Sequence, residues 1–171
     1  LGLSEIGTVF GVDIDYTKTF PEIKRSILQA VTDNDIDLLV GTSMGGFCSS
    51  VVGESLGIPF VAINPVLSPE QSLSKYIGEG VTFSGEPYTL NKETLASYPG
   101  FASNGCGFIL LDLGDELIDA EQTQRALETH YRTKIFAGGN HRFTHIKESL
   151  AEIKSFSDNA SFIYGFGAED D

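Results

Sequence analysis

The 171 residues, 41% hydrophobic and 20% charged, suffice for one domain with one core and exclude a long multidomain architecture. Eleven Lys and Arg against 24 Asp and Glu leave a formal net charge of −13, which repels phosphate backbones and anionic lipid headgroups and so argues against nucleic acid as a partner. Cys48 and Cys106 sit in no CxxC or Cys/His spacing, no apolar stretch approaches the roughly 18 residues of a membrane helix, and the first residues lack a signal-peptide layout; a soluble, cytoplasmic protein with no metal site and no membrane partner is expected.

Short β-branched apolar runs alternate with stretches of helical period, which predicts βαβ units around a mostly parallel sheet in an α/β sandwich. Ile6–Val12 reads as the first strand. Pro21–Thr32 follows as a helix with Pro21 at its start, its Ile23, Ile27, Leu28 and Val31 falling on one face directed at the sheet. Ile36–Val40 is the second strand, Met44–Leu56 a helix of small residues closed by Gly57, and Pro59–Ile63 the third strand. From Pro65 to Asn104 the pattern breaks into a proline- and glycine-rich region too long for an ordinary connection, expected to be an inserted cap with some helix of its own. Gly107–Leu113 restores the fourth strand, Ala120–Tyr131 is an amphipathic helix, Lys134–Ala137 a short fifth strand and Ile146–Phe156 the last helix. The tail, residues 157–171, carries no readable function, and Ala160–Phe166 is suited to an edge strand. Residues 1–171 thus read as one domain.

Gly41-Thr42-Ser43-Met44-Gly45 is a G-x-S-x-G that ends the second strand and opens directly into a helix, with Gly46 next. A nucleophilic serine must be lifted out of the sheet on a tight, strained turn, and Gly41, Gly45 and Gly46 give that turn room. The same position sets the helix N-terminus and the backbone N–H of Met44 beside a developing oxyanion. By chance the motif arises in about one in five chains of this composition, so its weight comes from the strand-to-helix context. A glycine-rich turn holding a phosphate is the alternative, and without a Walker Lys it is no P-loop.

Of three histidines, His130 lies near the end of a helix as an ordinary surface cation, and His145 begins the last helix as a cap or solvent residue. His141 instead sits in Gly138-Gly139-Asn140-His141-Arg142-Phe143 after the last core strand, where the glycine pair lets the loop deliver an imidazole above the sheet as general base. Asp115 is the first acid beyond the fourth strand and suits the orienting carboxylate; Glu116 then points elsewhere, Asp112 is paired or faces away, and Asp119 caps the next helix. The order Ser43, Asp115, His141 places each member after a different strand on one sheet edge. Asp33-Asn34-Asp35-Ile36-Asp37 begins like a calcium loop but lacks its turn Gly and bidentate Glu, so it reads as an acidic turn. Phe47, Phe60, Phe101, Phe108, Phe136 and Phe143 read as core or pocket lining rather than a stacking platform for bases.

From about Ile6 to Phe156 the chain resembles the YqiA-like esterases, small members of the α/β-hydrolase superfamily. Besides the elbow, the resemblance rests on Ala62-Ile63-Asn64-Pro65, Tyr76-Ile77-Gly78, Gly85-Glu86-Pro87-Tyr88, Gly114-Asp115-Glu116-Leu117-Ile118-Asp119 and Gly138-Gly139-Asn140-His141-Arg142-Phe143. It implies an α/β-hydrolase-like three-layer sandwich, with nucleophile, acid and base on Ser43, Asp115 and His141. It also implies hydrolysis of short-chain carboxylic esters, a small-molecule ester as partner, and no cofactor. A thioesterase or acyltransferase on the same residues, or an impaired binding module, are the alternatives. One departure stands out: no His-Gly dipeptide occurs, although the family carries a His-Gly-Phe-type loop after an apolar strand. That strand, lying between Ile6–Val12 and Ile36–Val40 in the family's sheet, is therefore expected upstream of Leu1, with a short form of rearranged sheet as the competing expectation.

Overall fold

The computed structural model describes residues 2–165, the last five by their backbone alone. In chain order its elements are α1 (Phe20–Asp33), β1 (Leu39–Thr42), α2 (Met44–Leu56), β2 (Phe60–Ile63), α3 (Pro69–Leu73), β3 (Gly78–Val81), β4 (Pro87–Leu90), α4 (Lys92–Ala96), β5 (Gly107–Asp112), α5 (Ala120–Leu127), β6 (Arg132–Phe136) and α6 (Ile146–Gly165). The main sheet runs β1-β2-β5-β6, every neighbouring pair parallel. β2 and β5 are buried along nearly their whole length, which is why they read as unbroken apolar runs rather than as alternating ones.

The pleat divides these runs between two layers. Phe60, Ala62, Ile109 and Leu111 face one side and pack with Ala120, Leu127 and Tyr131 of the α5 region, where Phe60, Phe101 and Tyr131 meet edge to face. Val61, Ile63, Phe108 and Leu110 face the other and pack with Ile153 of α6 and with Phe143. Helices on both faces of a parallel sheet make a three-layer α/β sandwich, and all strand carboxyl ends fall on one edge.

Several sequence expectations are corrected. Ile6–Val12 forms no strand: a 3-10 turn at Leu3–Glu5 precedes it, and Val9, Phe10 and Val12 are exposed. Residues 6–12 and 38–42 both line a groove of about 970 Å³, and among the described residues no strand pairing joins the segment to β1. The apolar face of α1 lies not on the sheet but on α2, where Phe20, Ile23 and Ile27 pack with Phe47, Cys48 and Val52. The second strand is displaced to Leu39–Thr42, and the helix after β5 stops at Leu127, leaving His130 in a turn whose N–H donates to the Leu127 carbonyl. The last helix continues through Gly165, so residues 160–165 are helical rather than an edge strand; Phe166 lies outside the described residues. The 65–104 region holds the short helices α3 and α4 and, unforeseen, the antiparallel hairpin β3-β4. Its two ends are joined where the Phe101 N–H donates to the Leu67 carbonyl at 3.1 Å. Among the described residues no helix is long and apolar enough to cross a membrane.

Candidate active site

Ser43 stands between β1 and α2 at φ 55°, ψ −120°, a region costly for a residue with a side chain. Its backbone is fixed from both sides: the N–H donates to the Ile63 carbonyl at 2.9 Å, and the carbonyl accepts from Gly46, Phe47 and Val66. The turn closes so tightly that a Cβ on Gly41 would overlap the Gly45 carbonyl, while one on Gly46 would press on Pro65 and Ala62. At Gly45 a Cβ would meet nothing within 4 Å, so the room is needed at 41 and 46. Met44 is the first residue of α2, and its backbone N–H belongs to the donors a helix N-terminus leaves without an intrahelical acceptor.

From the opposite side of the strand edge, His141 reaches Ser43 Oγ with Nε2 at 3.0 Å. Its Nδ1 lies 3.0 and 2.9 Å from the two carboxylate oxygens of Asp115, whose side chain is 1% exposed. Asp115 Oδ1 also accepts from the N–H groups of Leu117 and Ile118 at 2.8 and 2.9 Å, which fixes the carboxylate in its turn. With Nδ1–H donating to Asp115, Nε2 is left as the acceptor for the serine proton. The chain thus brings together the three residues proposed from the sequence, each from a different loop.

Three contributors escaped the sequence reading, and a fourth, Asp112, is paired as one of its two expectations had it, with a partner the sequence did not name. Glu116 does not turn away: its Oε2 accepts the backbone N–H of His141 at 3.0 Å, and hydrogen bonds from its own N–H and then from His141 hold its carboxyl below the usual range. Asn64, fully buried at φ 43° after β2, donates from Nδ2 to the carbonyls of Asn140 and His141 at 3.1 Å each, and its Oδ1 accepts the Asp112 N–H at 2.9 Å. Asp112, at the end of β5 and fully buried, lies 2.6 Å from His145, which stands directly before α6 and so gains a carboxylate partner that its place at the helix start did not announce. Their signals in the sequence were position, each falling within a few residues of Ser43, Asp115 or His141 or directly after a strand, and for Asn64 and Glu116 a place in the motifs that carry the family resemblance.

Gly139, at φ 76°, explains the glycine pair more sharply than loop freedom alone, because a Cβ there would collide with the Asp112 carboxylate. Asp119 caps α5 as expected, its Oδ1 accepting from Gln122 N–H at 3.0 Å. Of the six phenylalanines singled out, Phe47, Phe60, Phe108 and Phe143 are buried and the other two pack at the margins of the core clusters.

This sheet, with a strained serine turn entering a helix at the carboxyl edge of a parallel strand, defines an α/β-hydrolase fold. Solved structures agree: Est1E from Butyrivibrio proteoclasticus superposes with a TM-score of 0.63 at 15% identity, over 84% of this chain and 72% of that one. Alpha/beta hydrolase domain-containing protein 10 from mouse gives a TM-score of 0.60 at 16% identity, over 82% and 70%. The chain belongs to the family described as "Uncharacterised protein family (UPF0227)", whose model matches residues 12–158, and this bears out the resemblance carried by its motifs. A UPF0227 protein of Vibrio vulnificus (strain CMCP6) is 27% identical over 146 residues, 85% of this chain and 77% of that protein.

Proposed function

We propose that this protein is a serine hydrolase of small carboxylic esters, acting through an acyl-enzyme, with Ser43 as nucleophile, His141 as general base and Asp115 as the carboxylate that orients it. His141 Nε2 takes the Ser43 proton as Oγ attacks the ester carbonyl carbon; the imidazolium then returns that proton to the leaving alcohol oxygen as the C–O bond breaks. Water, deprotonated by His141, attacks the acyl-serine and releases the acid and the free hydroxyl. The Met44 N–H at the start of α2 donates to the oxyanion of each tetrahedral intermediate. The reading needs no metal or organic cofactor.

The observation that carries it is the unbroken line Ser43 Oγ, His141 Nε2, His141 Nδ1, Asp115 at hydrogen-bond distances, with the serine on a strained turn. The hydrolase name of the mouse neighbour supports the same reaction class. In this reading the chain is one domain, residues 65–104 form a cap that sets acyl size, and a content of only two cysteines suits a reducing, cytoplasmic compartment. Replacing Ser43 with Ala is expected to abolish p-nitrophenyl acetate turnover and fluorophosphonate labelling; a Ser43→Ala protein with undiminished turnover overturns the assignment.

A further inference from the structure

Beside the Ser43–His141–Asp115 line runs a second Asp–His pair, its carboxylate fully buried and its imidazole partly so, that the proposed chemistry does not use. Asp112 Oδ1 lies 2.6 Å from His145 Nδ1. Its Oδ2 accepts the backbone N–H groups of Asn140 at 3.2 Å and Thr144 at 2.9 Å, and the Thr144 hydroxyl at 3.3 Å. One carboxylate therefore grips the loop on both sides of His141. The His145 ring lies flat on Phe136 of β6, centroids 4.7 Å apart and planes within 7°, so the histidine is itself anchored to the sheet.

The loop requires such a grip. Gly138 and Gly139 are at φ 72° and 76°, and Phe143 is held at φ 64°, a conformation a bulky residue keeps only where its surroundings over-determine it. A buried carboxylate offers strong charge-assisted acceptance to several donors at once, and removing it would leave the N–H groups of Asn140 and Thr144 without their acceptor.

We propose that Asp112 and His145 are positioning residues: together they hold the 138–145 loop so that the His141 imidazole stays within reach of both Ser43 and Asp115. They act through His141 and touch no reacting atom, and the role as stated rests on the hydrolase reading above. His145 is the better probe because its side chain is 24% exposed, whereas Asp112 is wholly buried and its replacement threatens folding.

The test compares His145→Ala, which removes the donor to Asp112, with His145→Asn, whose amide nitrogen stands where Nδ1 was, in the full chain. Kinetics on p-nitrophenyl acetate are expected to show a kcat about tenfold lower in His145→Ala with KM changed less than about twofold, and a return to within about threefold of the unaltered rate in His145→Asn. The proton NMR resonance of His141 Nδ1–H is expected to shift or broaden in His145→Ala and to recover in His145→Asn. A His145→Ala protein whose kcat and His141 resonance both match the unaltered chain overturns the proposal, as does an amide variant that folds but restores neither. The resonance is read without turnover: should Ser43→Ala prove fully active, the hydrolase assignment falls while the NMR comparison still decides whether this pair positions His141.

Discussion

The Asn64 side chain joins a strand end to a loop: its oxygen takes the Asp112 N–H at 2.9 Å while its amide nitrogen donates to the His141 carbonyl at 3.1 Å, although the residues lie 48 and 77 positions away. A residue directly after β2 thus ties the end of β5 to the loop that carries His141. Asn64→Ala strips a buried N–H of its acceptor and two carbonyls of their donor, and is expected to lower unfolding free energy by about 2–3 kcal/mol. Urea unfolding measures this, and the labelling rate of Ser43 is expected to fall alongside.

Asp115→Asn is expected to preserve the fold and lower ester kcat by roughly 10⁴, because an amide facing Nδ1 favours the imidazole tautomer that holds its proton on Nε2, toward the serine. Steady-state kinetics with a thermal melt separates this from unfolding; a loss under about tenfold assigns the orienting role elsewhere.

The serine turn makes unequal demands on its glycines. Gly41→Ala drives a methyl into the Gly45 carbonyl and is expected to cost about 3 kcal/mol or more, whereas Gly45→Ala, with open space around its new methyl, is expected to cost less than about 1 kcal/mol. Equal midpoints for the two variants in urea would contradict the geometry.

Alkaline pH is expected to weaken the fold through the cluster between α1 and α2. Burial pushes the Cys48 thiol from its ordinary 9.0 up to about 12, and burial also raises the Tyr16 and Tyr98 hydroxyls above their usual range. The folded chain keeps the thiol proton that the unfolded chain releases, so this contribution is whole below pH 9 and is lost as pH rises toward 12. Between those limits Cys48 adds a slope of about 1.4 kcal/mol per pH unit, and Cys48→Ala is expected to unfold with a slope shallower by that amount.

The parts legible in the sequence are those whose cause is local. Met44–Leu56 followed by Gly57 announces a helix and its end because the stop is a backbone conformation, φ 68°, that favours glycine. Ser43, Asp115 and His141 were readable because each follows a strand, and parallel strands deliver their carboxyl ends to one edge. Ile6–Val12 misled because β-branched composition speaks only for the residue, while a strand exists only with a partner at ladder distance. The helix face of α1 misled similarly: periodicity says that a face is buried, not what buries it. Asn64, Glu116 and His145, and the identity of the partner of Asp112, were hidden for a third reason, since the partners stand 25 to 77 residues away and nothing in the local pattern names them.

The single backbone hydrogen bond from Phe101 to Leu67 gives the intervening segment a narrow neck. Chain that leaves and re-enters a fold at almost one point changes length at small entropic cost, since closure grows only with the logarithm of loop size. Helices α3 and α4 and the β3-β4 hairpin can therefore change in length while β2 and β5 keep their register, and in the hydrolase reading proposed above this frees substrate range and the chemistry at Ser43 to evolve on separate clocks.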